Sequence, residues 1–99
     1  MFNIDQREEN GVKYFSFEGE LDTIASVELE GQLDDLLADA KDIVVDLEKI
    51  NYITSAGLRI LLHMQKDKEN NGSMKIINVS KDIMELFEVT GFDEILNIE

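Results

Sequence analysis

The chain has no cysteine, which excludes both a disulfide framework and a thiolate metal site. Basic residues are scarce: nine Lys and Arg stand against twenty-two Asp and Glu, for a formal net charge of −13 at pH 7. So acidic a surface cannot neutralise the phosphates of a nucleic acid, and anionic membranes disfavour it for the same reason. No apolar run approaches membrane-spanning length, and Met1-Phe2-Asn3-Ile4-Asp5 lacks the basic-then-apolar layout of a signal peptide. A cytoplasmic location is the expectation. Also missing are a Gly-x-Ser-x-Gly elbow, a phosphate-cradling Gly-rich loop and a His-x-x-x-His metal spacing. Neither a cofactor nor a metal is expected.

What is present fits one globular domain spanning residues 1–99. Hydrophobic residues make up 43% of the chain, five of them Phe, enough for a modest core and too few for a second one. Asn10-Gly11 is the dipeptide favoured in a two-residue hairpin turn. It predicts a register in which Glu9 faces Val12, Glu8 faces Lys13, Gln6 faces Phe15 and Ile4 faces Phe17. Phe2, Ile4, Phe15 and Phe17 then share one face, while the other is mostly polar. That internal agreement supports a hairpin with one buried side.

After Gly19-Glu20-Leu21, Asp22 or Thr23 can cap a helix of roughly four turns, with Leu29, Leu33, Leu36, Leu37 and Ala40 on its apolar face. Gly31 interrupts it at a cost of about 1 kcal/mol relative to Ala, and close packing is one reason such a residue is retained. Asp42-Ile43-Val44-Val45-Asp46-Leu47 reads as a buried strand without alternation, central and covered on both faces. A second helix runs from Ala56 to about Asn70, with Lys66 and Lys68 near its negative end, and Asn70-Asn71-Gly72 closes it. Met74–Val79 is a further strand, Ser80 caps a third helix ending at Gly91, and Ile95–Ile98 completes the chain as a short edge strand. The predicted order is ββαβαβαβ: an α/β domain with a mixed sheet, an N-terminal hairpin and packed helices.

Between the central strand and the second helix lies Asn51-Tyr52-Ile53-Thr54-Ser55-Ala56-Gly57-Leu58. Small residues at a strand-to-helix junction let another molecule approach the backbone closely. Ser55 sits at or next to the N-cap, where its oxygen can accept from a free amide of the first turn, and the same amides favour a phosphate. Asp22 is the carboxylate to single out, because it too ends a strand and opens a helix. The only histidine, His63, lies at least two helical turns beyond Ser55. A Ser–His nucleophile pair is therefore poorly supported, and no catalytic residue is assigned.

Thr54-Ser55-Ala56-Gly57-Leu58 resembles the signature of the STAS domain, in particular the bacterial anti-sigma factor antagonist family, which usually reads Asp-Ser-(Ser/Thr/Ala)-Gly-Leu here. Thr54 stands where that family has Asp. Gly19-Glu20-Leu21-Asp22 matches a second family signature, followed by Ala25-Ser26 where Thr-Ala is common, and Val79–Phe92 is similar to the family's last helix. The resemblance implies that Ser55 is a phosphoacceptor. It further implies that Asp22, Thr54, Ser55, Ala56, Gly57 and Leu58 form a partner-binding surface. The implied partners are an anti-sigma factor that is also a serine kinase, and a cognate phosphoserine phosphatase; the protein itself is a ligand and substrate. No large exposed apolar stripe in the sequence argues for an obligate dimer, and a monomer is the expectation for the free protein. The alternative is a STAS adaptor subunit of a regulatory or transport complex that is never phosphorylated.

Overall fold

A computed structural model describes residues 1–99. Its elements are β1 (Asn3–Glu9), β2 (Val12–Leu21), α1 (Thr23–Ala38), β3 (Asp42–Ile53), α2 (Ser55–Asn71), β4 (Ser73–Ile77) and α3 (Lys81–Thr90), followed by a 3-10 turn at Phe92–Glu94. The strands form one sheet in the order β1-β2-β3-β4. The first pair is antiparallel and the other two are parallel, with α1 and α2 as the crossovers that parallel neighbours require.

The hairpin has the register the turn dictates: Glu9 opposes Val12, Glu8 Lys13, Gln6 Phe15 and Ile4 Phe17. Asn10 and Gly11 both adopt positive φ, 53° and 80°, as a type I′ turn demands. Phe2 packs edge-on to Phe17 with ring centroids 5.4 Å apart.

The core is a single cluster of 22 buried residues drawn from β2, β3, β4 and all three helices. Leu29, Leu33 and Leu37 of α1 and Leu58, Leu61 and Met64 of α2 enter it at the three-and-four spacing of a helix face. Gly31 does not serve packing. It is exposed, and a Cβ there would meet nothing within 4 Å.

Three sequence expectations need correction. The central strand continues well past Leu47, to Ile53. Leu47, Ile50 and Ile53 are all buried at intervals of three, because β3 carries one extra residue at each of two register shifts against β2. A bulge inserts a residue without exchanging faces, so the period-two signature is lost there. Second, β3 is central as expected, but its second face is covered only in part: Val44 is buried yet lies outside the core cluster, Asp46 is half-buried, and the row neighbours Tyr14 and Lys75 are half-buried and exposed. Third, Ile95–Ile98 is not a strand. Only Ile98 pairs, with Ile76, while Ile95 closes the 3-10 turn as its C-cap and Leu96 is buried in the core.

Lys68 departs from expectation in a different way. Its side chain is turned inward, 2% exposed, and donates to the backbone carbonyls of Leu37 (3.0 Å) and Ala40. It satisfies the carbonyls at the C-terminal end of α1, where a cation is electrostatically favoured, and pairs with Asp67 at 3.3 Å.

Candidate functional site

The end of β2 and the end of β3 lie side by side, with Leu21 opposite Ile53. The chain leaves each strand directly into a helix, so the α1 and α2 N-termini open from adjacent points. Asp22 is the N-cap of α1 and its Oδ1 accepts from the Ala25 amide at 2.9 Å. Thr54 is the N-cap of α2, and its Oγ1 accepts from the Gly57 amide at 3.4 Å. The Thr54 amide donates to the Leu21 carbonyl at 3.1 Å, which ties the two loops together.

Cap assignment decides the state of Ser55. With Thr54 as the cap, Ser55 is the first helical residue; it is exposed and its hydroxyl makes no hydrogen bond within the protein. Its own amide and that of Ala56 have no backbone acceptor either. They are the unpaired donors that every helix N-terminus leaves. The hydroxyl is thus held at the positive end of a helix and faces solvent.

Gly57 fixes how closely this turn sits on β2. A Cβ at that position would lie 2.6 Å from the Leu21 carbonyl oxygen and 2.9 Å from the Ile53 Cγ2. Any larger residue must push α2 away from the strand ends. Beside the turn, an open groove of about 420 Å³ between α1 and α2 is lined by Ser26, Val27, Glu30, Gly31, Ala56, Arg59 and Ile60. Three large apolar side chains flank this region in water: Ile24 is 73% exposed, Val27 69% and Tyr52 55%.

The sequence that folds in this way matches a family model for the STAS domain over residues 3–99. The chain belongs to the STAS family. Among curated relatives, the anti-sigma-B factor antagonist of Staphylococcus aureus is 35% identical over 82 residues, covering 81% of this chain and 76% of that protein. The crystal structure of an anti-sigma factor antagonist from Mycobacterium paratuberculosis superposes with a TM-score of 0.88 at 21% identity, covering 99% of this chain and 85% of the other. The Bacillus cell fate determinant SpoIIAA in its phosphorylated form shares the fold with a TM-score of 0.72 at 17% identity, covering all of this chain and 91% of its own.

Within this STAS domain the six residues singled out from sequence are neighbours in space, but they divide into two groups. Ser55 is exposed, and Asp22, Thr54 and Ala56 are half-buried at the surface. Gly57 and Leu58 are not surface residues: Gly57 is pressed against β2 and Leu58 is 4% exposed inside the core. Leu58 faces inward because it lies on the same buried helix stripe as Leu61 and Met64. These two residues position the turn and present no side chain to a partner. Sequence reasoning missed Ile24, Val27 and Arg59 as residues beside Ser55. The signal was available for Ile24 and Val27, which fall off the Leu29–Leu33–Leu37 stripe of α1. No cluster of three or more His, Cys, Asp or Glu side chains has metal-binding geometry, and no helix is long and apolar enough to cross a membrane.

Proposed function

We propose that this STAS domain is an anti-sigma factor antagonist that works by partner switching, with Ser55 as the switch. With a free hydroxyl at Ser55, the surface formed by Asp22, Thr54, Ser55 and Ala56 and flanked by Ile24, Val27 and Tyr52 docks on an anti-sigma factor that is also a serine kinase. Docking frees the sigma factor. The kinase then transfers the γ-phosphoryl of its bound ATP to the Ser55 oxygen, ADP leaves, the complex separates, and a phosphatase restores the hydroxyl. The domain is a ligand and a substrate in this cycle and catalyses no step.

The observation that carries this reading is the uncommitted, exposed Ser55 hydroxyl on a helix whose cap is supplied by the preceding residue. A kinase substrate needs its hydroxyl free, and a serine engaged as an N-cap has part of its oxygen's capacity occupied. The similarity to anti-sigma factor antagonists supports the partner class. Exposed Ile24 and Val27 supply apolar contact area of the kind buried at interface centres.

Magnitudes place the action of the phosphate at the contact itself. A phosphoserine adds about −1.5 to −2 charges, a small change for a chain at −13. In the free domain the helix N-terminus stabilises it by about 0.3–1 kcal/mol. Within a docked interface the same group is desolvated and unpaired, which costs several kcal/mol. A penalty near 3 kcal/mol corresponds to about a hundredfold in affinity.

The test is phosphorylation by the anti-sigma factor kinase encoded in the same genome, followed by peptide mass spectrometry. Phosphate is expected on Ser55 and absent from Ser55→Ala, which still binds the kinase. A protein that binds but is never modified would leave the adaptor reading standing.

A further inference from the structure

Arg59 is the one basic residue between Asn51 and Leu62, and α1, which forms the opposite wall of the groove, contains none. It is one of only two arginines in the chain. The other, Arg7, is occupied: it pairs with Glu9 and stacks 4.2 Å from the centroid of the Tyr14 ring. Arg59 is exposed and takes part in none of the ion pairs, side-chain hydrogen bonds or cation–π contacts of the molecule. In so acidic a protein, an uncommitted guanidinium beside the groove has no structural task.

Its position relative to Ser55 is specific. Ser55 is the first residue of α2 and Arg59 follows four residues later, on the same face one turn along. Helical side chains lean toward the N-terminus, so a long side chain covers the turn preceding its own Cα. For Arg59 that turn begins at Ser55. An anion four residues before a cation is also the favoured order of such pairs. A planar guanidinium makes two parallel hydrogen bonds to a phosphate, which a lysine ammonium does not.

We propose that Arg59 is the built-in counter-ion of phosphorylated Ser55. This rests on the reading of Ser55 as the phosphoacceptor. On phosphorylation the guanidinium folds back over the phosphate, so the switch has two local effects: a dianion appears at position 55, and a free cation leaves the α1–α2 groove. Asp22, the α1 N-cap, and Glu30, across the groove, are the carboxylates that oppose this pairing.

The experiment installs phosphoserine at position 55 during synthesis, by codon reassignment, so that no kinase is needed. Phosphorus-31 NMR titrations then compare the phosphoprotein with its Arg59→Gln and Arg59→Lys variants. Asp22 and Glu30 are present in all three, so differences report position 59. The second phosphate pKa is expected to lie lowest with Arg59, about half a unit or more below Arg59→Gln, because an adjacent cation favours the dianion. The Lys variant is expected between them. The Arg59 Nε–H resonance is expected to shift on phosphorylation. Coincident titrations in all three proteins, with an unmoved Nε–H signal, would overturn the assignment. Since the phosphoserine is placed genetically, that failure is distinct from a finding that cells leave Ser55 unmodified.

Discussion

Thr54 and Gly57 are the residues that make Ser55 available. Thr54 takes the capping position that the family usually gives to Asp, and both side chains can accept from a first-turn amide. Thr54→Val keeps the shape but removes the acceptor, and is expected to lower unfolding free energy by about 1 kcal/mol in urea denaturation, while Thr54→Asp holds it or raises it. If Val and Thr were equally stable, the 3.4 Å contact to the Gly57 amide would not be a cap. Gly57 sets the height of the turn over the strand ends. A Cβ there meets the Leu21 carbonyl, a backbone atom that cannot rotate away. Gly57→Ala is therefore expected to cost about 1–3 kcal/mol, the range for overpacking a tight site, and to lower the kinase's rate on Ser55. Wild-type stability in thermal unfolding would show that α2 moves freely at this point.

At the scale of elements, what the sequence made legible and what it hid have separate physical causes. The β1–β2 register followed from Asn10-Gly11, because a two-residue turn leaves no freedom in which residues oppose one another. α1 and α3 carried caps at Asp22 and Ser80 and apolar stripes of helical period. The second half of β3 was hidden by its bulges, which turn an alternating pattern into Leu47, Ile50 and Ile53 with charged or polar residues between. The Ser55 loop was recognisable as a motif, but its two-sided character was not. Only the packing of α2 shows that Gly57 and Leu58 face inward while Ser55 faces water.

Lys68 was hidden for another reason. A lysine in the last turn of a helix ordinarily serves its own C-terminus, and nothing local reveals that α1 ends within its reach. Lys68→Ala leaves the Leu37 and Ala40 carbonyls without this donor, and a loss of about 1–3 kcal/mol is expected from urea unfolding. Lys68→Met restores the apolar stem and should recover part of it. An alanine variant as stable as wild type would mean that water replaces the ammonium group fully.

For the whole molecule, one closed core and a net charge of −13 leave little room for a global response to one more phosphate. The helices and the sheet share a single buried cluster, so a change of fold would have to break all of it. Phosphorylated and unphosphorylated forms are expected to share one backbone. Amide chemical-shift changes should be confined to residues near 22–31 and 52–60, and large changes in the hairpin or α3 would point instead to a conformational mechanism.

The switch itself is most directly tested by calorimetry of the anti-sigma factor kinase against the domain carrying either serine or phosphoserine at position 55. Dissociation constants about a hundredfold apart, corresponding to about 3 kcal/mol, are expected, with the phosphorylated form the weaker binder. Equal dissociation constants would contradict the idea that charge at Ser55 releases the partner.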